Sequence, residues 1–180
     1  MTEPLLDAPC GRHFTLGDFV RAGDTVRQAG VANLPREKES IAALQALCEA
    51  IVDPVCDRFG RVELTYGFCS PELARRIPGR IAPRLDQHAA CERNRNGRLI
   101  SPRKGAACDF RVEGHGALQV ARWIVRTLPF DRLYFYGDDR PLHVSHGPDH
   151  ARQVVEMVVS PRSGRRIPRK RTHEAFLGEA

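Results

Sequence analysis

Gly105-Ala106-Ala107-Cys108-Asp109-Phe110 is the stretch on which the reading of this chain turns. With Arg111-Val112 it predicts a short, largely buried strand from Ala106 to Val112 that carries one carboxylate. Upstream lies Asp86-Gln87-His88; downstream lies Leu142-His143-Val144-Ser145. Each histidine, like Asp109, sits at the edge of a predicted element. Two imidazoles and a carboxylate suit one divalent metal and leave a position open for water. The three are scattered and form no HExxH helix, so ordinary surface or hydrogen-bonded roles fit the spacing as well.

Around this stretch the chain alternates between helical and strand periods. Residues 1–13 carry no periodicity and read as an irregular lead-in. Phe14 to Val20 predicts a short helical turn capped near Thr15. Asn33-Leu34-Pro35 predicts the start of the clearest helix, with proline in its first position. Ile41, Leu44, Leu47, Cys48, Ile51 and Val55 give that helix one apolar face. Pro54 should bend its last turns and Gly60 end it. Residues 61–67 read as a strand. Ser70-Pro71-Glu72 predicts a capped helix that runs to about Ile77 and stops before Pro78-Gly79. Residues 89–104 are polar, basic and turn-rich, an excursion from the core. Gly116 to Leu128 predicts a helix, Asp131 to Tyr136 a strand, Leu142 to Ser145 its returning partner, and Gln153 to Val159 a last strand. Beyond Pro161 the chain looks too charged to pack, and is expected to be loose until Phe176-Leu177. Helices early and hairpin strands late predict an α+β domain, helices packed on a mainly antiparallel sheet, over residues 1–160, followed by a basic tail over 161–180.

The bulk composition narrows the class. A chain of 180 residues with 42% hydrophobic and 28% charged side chains fits one soluble domain. No apolar run is long enough to span a bilayer. The start, Met1-Thr2-Glu3-Pro4, does not read as a signal peptide, which suggests a cytoplasmic protein. The six cysteines form no CxxC pair, so free thiols are expected rather than a cysteine zinc cluster. Cys91 and Cys108 bracket the excursion and could approach each other. The net charge is +6. The excess gathers at Arg93, Arg95, Arg98, Arg103 and Lys104, and again at Arg162, Arg165, Arg166, Arg169, Lys170 and Arg171. Such stripes are solvated faces or contacts to nucleic acid or an acidic partner.

Several stretches, taken in order, resemble the D-alanyl-D-alanine carboxypeptidase family of M15-type zinc peptidases, which shares its fold with the Hedgehog signalling domain. They are Phe14 to Phe19, Asp24 to Gly60, Thr65-Tyr66-Gly67-Phe68-Cys69-Ser70-Pro71-Glu72-Leu73, Gln87-His88, Gly105 to Phe110, Leu128-Pro129-Phe130-Asp131 and His143-Val144-Ser145. The resemblance covers residues 14–158. It implies a Hedgehog/DD-peptidase-like fold and a Zn2+ ion on His88, Asp109 and His143. It also implies that zinc polarises a scissile carbonyl and activates water, with a nearby carboxylate as base.

Three departures bear on activity. The family's first histidine and aspartate lie seven apart; His88 and Asp109 lie 21 apart, so 14 residues are inserted within 89–104. The places where the family carries its basic glutamate hold Arg140 and Tyr136. Asp138 and Asp139 are close enough in sequence to substitute, and Tyr136 joins them as a catalytic candidate. Cys69 stands where the family has an arginine that grips substrate charge. Cys69, Ser70, Arg140 and His146 are the substrate-binding candidates. The expectation is a zinc-dependent hydrolase of a peptide or amide with an atypical base and pocket. The alternative is a zinc-containing binding module whose insertion and tail contact nucleic acid or an acidic partner. Neither reading involves a membrane.

Overall fold

The computed structural model describes residues 6–77 and 82–178. The helix stop expected at Pro78-Gly79 lies outside them. The fold is mixed α and β: helices cover one face of a six-stranded open sheet. The strands are β1 (Val62–Tyr66), β2 (Ala106–Val112), β3 (Arg132–Phe135), β4 (Leu142–His146), β5 (Gln153–Val159) and β6 (Arg166–Arg171). Their spatial order is β1-β2-β4-β3-β5-β6. Every neighbouring pair is antiparallel except β3 and β5, which run parallel.

Strand alternation sorts the side chains onto two faces. Cys108, Phe110, Val144, Leu142, Leu133 and Val154 turn into the core beneath the helices. Asp109, His143 and Tyr134 stand in register on the opposite face. β1 joins that face through an irregularity. Leu64 pairs with Phe110, yet Tyr66, two residues on, pairs with Asp109, only one residue back along the antiparallel β2. The extra residue, Thr65, is a β-bulge, and it switches Tyr66 from the core face to the face of Asp109.

The helices are α1 (Leu16–Arg21), α2 (Asp24–Ala29), α3 (Lys38–Leu47), α4 (Asp53–Phe59), α5 (Pro71–Ala74), α6 (Ala117–Thr127) and α7 (His173–Leu177). α1 starts where the sequence predicts it, the Thr15 N–H donating to Asp18 (2.7 Å). α3 starts at Lys38, not at Pro35. The Arg36 and Glu37 N–H groups donate instead to the carboxylate of Glu92 in the inserted segment, at 2.9 and 3.2 Å. A π-helical turn, Cys48–Val52, joins α3 to α4. Pro54, which lacks an N–H, follows it in the first turn of α4. α5 is shorter than expected, with Ser70 Oγ accepting from the Leu73 N–H (3.1 Å). α6 places Val120, Ala121, Ile124 and Val125 against the sheet. Burying each of the larger ones contributes about 1.5–3 kcal/mol.

One expectation is corrected. The segment after Pro161 is not a loose tail. β6 pairs along its length with β5, the Arg171 Nη2 lies 2.5 Å from Glu156, and Phe176 of α7 is buried in the core. Backbone hydrogen bonds form this strand, so its charged side chains need no buried face. As an outer strand its arginines and Pro168 also blunt pairing with further chains. The inserted segment, turn-rich as expected, closes on itself. Asn94 Oδ1 accepts from the N–H groups of Asn96 and Arg98 (2.9 and 3.1 Å), closing a hairpin. All six cysteines are free. No helix among the described residues is long and apolar enough to cross a membrane.

Candidate metal centre

Neighbouring strands bring Asp109 and His143 together because the two are register partners. His143 Nδ1 lies 2.7 Å from Asp109 Oδ1. His88 arrives from outside the sheet, on a single 3-10 turn, Gln87–Ala89. Its Nε2 is 3.2 Å from His143 Nδ1 and 3.4 Å from Asp109 Oδ1. The three donor atoms thus lie within 4.8 Å of one another. The sequence trio is therefore assembled in space, 21 and 34 residues apart along the chain.

The turn bearing His88 is fixed at three levels. Its backbone N–H donates to Asp86 Oδ1 (3.0 Å), and its carbonyl accepts from the Cys69 N–H (2.9 Å). Its Nδ1–H donates to the Gly67 carbonyl (2.7 Å). That bond puts the proton on Nδ1 and leaves Nε2 as the free donor facing the other two ligands. Gly67 must be glycine, since an added Cβ would meet the Phe19 carbonyl at 2.2 Å. Below His88, Gln87 ties the turn to the sheet. Its Nε2 donates to Asp131 Oδ2 and to the Lys104 carbonyl, both at 2.9 Å. Its Oε1 accepts from Ser145 Oγ (2.9 Å) and Arg132 Nη1 (3.3 Å). Both Gln87 and Asp131 are buried. Gln87→Ala is expected to weaken metal affinity about 10–100-fold, the usual effect of losing an outer support of a ligand. Competition against a chromophoric chelator reads this directly.

The electrostatics suit a cation. Burial would raise the Asp109 carboxyl pKa, but the charge of His88 and the hydrogen bond from His143 hold it well below the usual carboxylate range. Burial would lower the His88 imidazole, yet Asp109 above all, then Asp86 and the Gly67 carbonyl, raise it. A half-buried carboxylate with two rings crowded on it is what a divalent ion would neutralise.

The trio opens onto a cavity of about 560 Å³. Its rim includes Tyr66, Asp86, Arg103, Tyr134 and Tyr136. Tyr66 and Tyr134 stack edge-on against His88 and His143, with ring centroids 4.7 and 5.1 Å apart. Burial pushes the Tyr136 phenol up to about 12.

The other sequence candidates lie elsewhere. Asp138 is exposed on the turn before β4 and accepts from the Leu118 N–H (2.7 Å), so it serves the start of α6. Asp139 is exposed and lies 3.8 Å from Arg140 Nε. Asp138 and Arg140 border a separate hollow of about 90 Å³. Neither aspartate lines the metal cavity. Cys69 is fully buried. Ser70 caps α5, its Oγ accepting from the Leu73 N–H, and its N–H donates to Asn33 Oδ1 (2.7 Å). His146, three residues after His143, alternates to the other face and packs near His150. None of Cys69, Ser70, Arg140 or His146 lines the cavity among the described residues. Asp86 and Arg103, which the sequence did not nominate, do. Their only signals were adjacency to His88 and membership of the inserted basic run.

Comparison of the chain with family models, with curated proteins and with solved structures returns no match. The functional reading therefore rests on the site itself.

Proposed function

We propose that this chain is a zinc-dependent hydrolase of a peptide or amide bond, on a fold of the Hedgehog/DD-peptidase type. The observation that carries the reading is the convergence of His88, Asp109 and His143 on the floor of an open cavity. Two imidazoles and one carboxylate are a catalytic rather than a structural zinc set, because a position is left for water or substrate. Zinc held there supplies Lewis-acid polarisation of a scissile carbonyl and of the attacking water.

The chain's own groups supply the rest. Once Asp109 is a ligand, Asp86 is the remaining carboxylate among the described cavity residues. It is buried and sits on the same turn as His88. We assign it the proton-accepting role in place of Asp138 and Asp139. Tyr66, Tyr134 and Tyr136 wall the cavity and restrict water around the reacting bond.

The test uses protein loaded with stoichiometric zinc and a panel of N-acylated di- and tripeptides, with cleavage followed by mass spectrometry. Asp86→Asn keeps an acceptor for the His88 N–H, so zinc content should stay at the wild-type level. Turnover should fall about 10²–10⁴-fold, the usual worth of a general base. Wild-type turnover in Asp86→Asn would move the proton to another group. A wild type that holds zinc but cleaves no member of the panel would count against the hydrolase reading.

A further inference from the structure

A second cleft, of about 690 Å³, lies beside the metal cavity. Its charged walls are Arg36 before α3, Glu72 and Arg75 on and after α5, and Arg93 and Arg95 on the inserted hairpin. Four guanidinium groups thus face one carboxylate among the described residues. Glu72 is shared between Arg36 (2.8 Å) and Arg75 (3.1 Å). Arg93 Nε lies 3.9 Å from Glu37. Arg95 pairs with no carboxylate among the described residues. The cleft therefore carries an uncompensated positive charge.

The hairpin fixes the backbone that carries Arg93 and Arg95. The Asn94 N–H donates to the Arg98 carbonyl (2.8 Å), and Arg93 Nη1 donates to the Gly97 carbonyl (2.9 Å). At its root, Glu92 is fully buried against α3. Arg36, Arg75 and Arg93 each already have a partner, so they lose less conformational freedom when a ligand arrives.

The lining decides between two kinds of anion. No aromatic side chain lines the cleft among the described residues, so a nucleic-acid base finds no surface to stack on. Pro71, Ala74, Pro83 and Ile100, with the amides of Asn94 and Asn96, form its uncharged wall instead. That wall suits an extended polypeptide, while the guanidinium forks match carboxylates two bonds at a time. The cleft is also next to the reacting site. Pro83 lines the cleft and Leu85 lines the metal cavity. They are the two ends of one 3-10 turn, about 4 Å apart along its axis.

We propose that this arginine cleft, built by the insertion, binds an acidic peptide segment. The inference goes beyond the metal-centre reading, because the cleft needs no metal. It is tested on protein stripped with EDTA, so failure of the metal reading leaves the result unaffected. The probes are fluorescein-labelled hexaglutamate, hexaglutamine and hexalysine peptides and a single-stranded 12-mer oligonucleotide, read by anisotropy at low and at physiological salt. Hexaglutamate should bind at least about 10-fold tighter than hexaglutamine at low salt, and the margin should shrink as salt screens it. Arg75→Glu with Arg95→Glu should abolish the margin and create binding of hexalysine, a gain that a misfolded protein would not show. Arg162→Glu with Arg165→Glu, at the far basic segment, should leave it intact. Equal affinity for hexaglutamate and hexaglutamine would overturn the proposal. So would loss in the Arg162/Arg165 variant alone, or tighter binding of the oligonucleotide that depends on Arg75 and Arg95.

Discussion

Asp109→Asn is expected to weaken zinc binding about a thousand-fold, some 4 kcal/mol, while leaving the fold in place. The side chain keeps its shape and can still touch His143, but it no longer offers charge. The remaining set would be two neutral rings and an amide, a poor match for a dication. The pH dependence should change with it. In the metal-free protein the His88 pKa is raised, with Asp109 its largest favourable partner. The stabilisation from that pairing is therefore complete below the ordinary imidazole value of about 6.5. It fades as pH rises through the raised folded value. Metal needs the neutral ring, so zinc affinity runs the other way and increases with pH. Without the Asp109 charge, His88 releases its proton at lower pH, and the affinity curve of Asp109→Asn should shift toward acid. Chelator competition at several pH values reads both effects. A variant within about three-fold of wild type at every pH would remove Asp109 from the ligand set.

Glu92→Ala should cost the fold about 3–5 kcal/mol. Glu92 is fully buried. One oxygen accepts from the Arg36 N–H (2.9 Å), the Glu37 N–H (3.2 Å) and Ser40 Oγ (2.9 Å). Alanine leaves all three donors without their acceptor, each at a cost of about 1–3 kcal/mol, in part offset by relaxation and by water at the part-buried Arg36 and Glu37 groups. For a chain of 180 residues this corresponds to a melting temperature lower by about 6–20 °C. Glu92→Gln, which can still present an acceptor, should lose less than half as much. Calorimetry of the three proteins tests this. Equal stability of wild type and Glu92→Ala would mean that the inserted hairpin does not anchor the start of α3.

The same residue shows where sequence reading ends. The donors Glu92 satisfies lie more than 50 positions away, so Pro35 looked like the natural helix start and the real start, Lys38, carried no local mark. Strands rich in apolar residues were legible. Ala106 to Val112 and Gln153 to Val159 fall where their apolar pattern puts them. Arg166–Arg171 was not, because its charged side chains have no buried face and its pairing is carried by the backbone. At the site, the residue types of the trio were legible and their convergence was only expected. The direction of a turn side chain was hidden. Asp138 and Asp139 are near His143 in sequence, yet one is spent on α6 and the other is exposed. The bulge at Thr65 that turns Tyr66 to the cavity, and the Gln87 bonds that hold His88 down, depend on partners from other elements. No local pattern announces them.

Zinc-edge X-ray absorption on purified protein, with metal content measured on the same sample, tests the central claim most directly. One zinc per chain is predicted, with two imidazole nitrogens and a carboxylate oxygen among its ligands and one imidazole lost in His88→Ala. Protein that retains no metal, or metal whose spectrum is unchanged in both His88→Ala and Asp109→Asn, would contradict it.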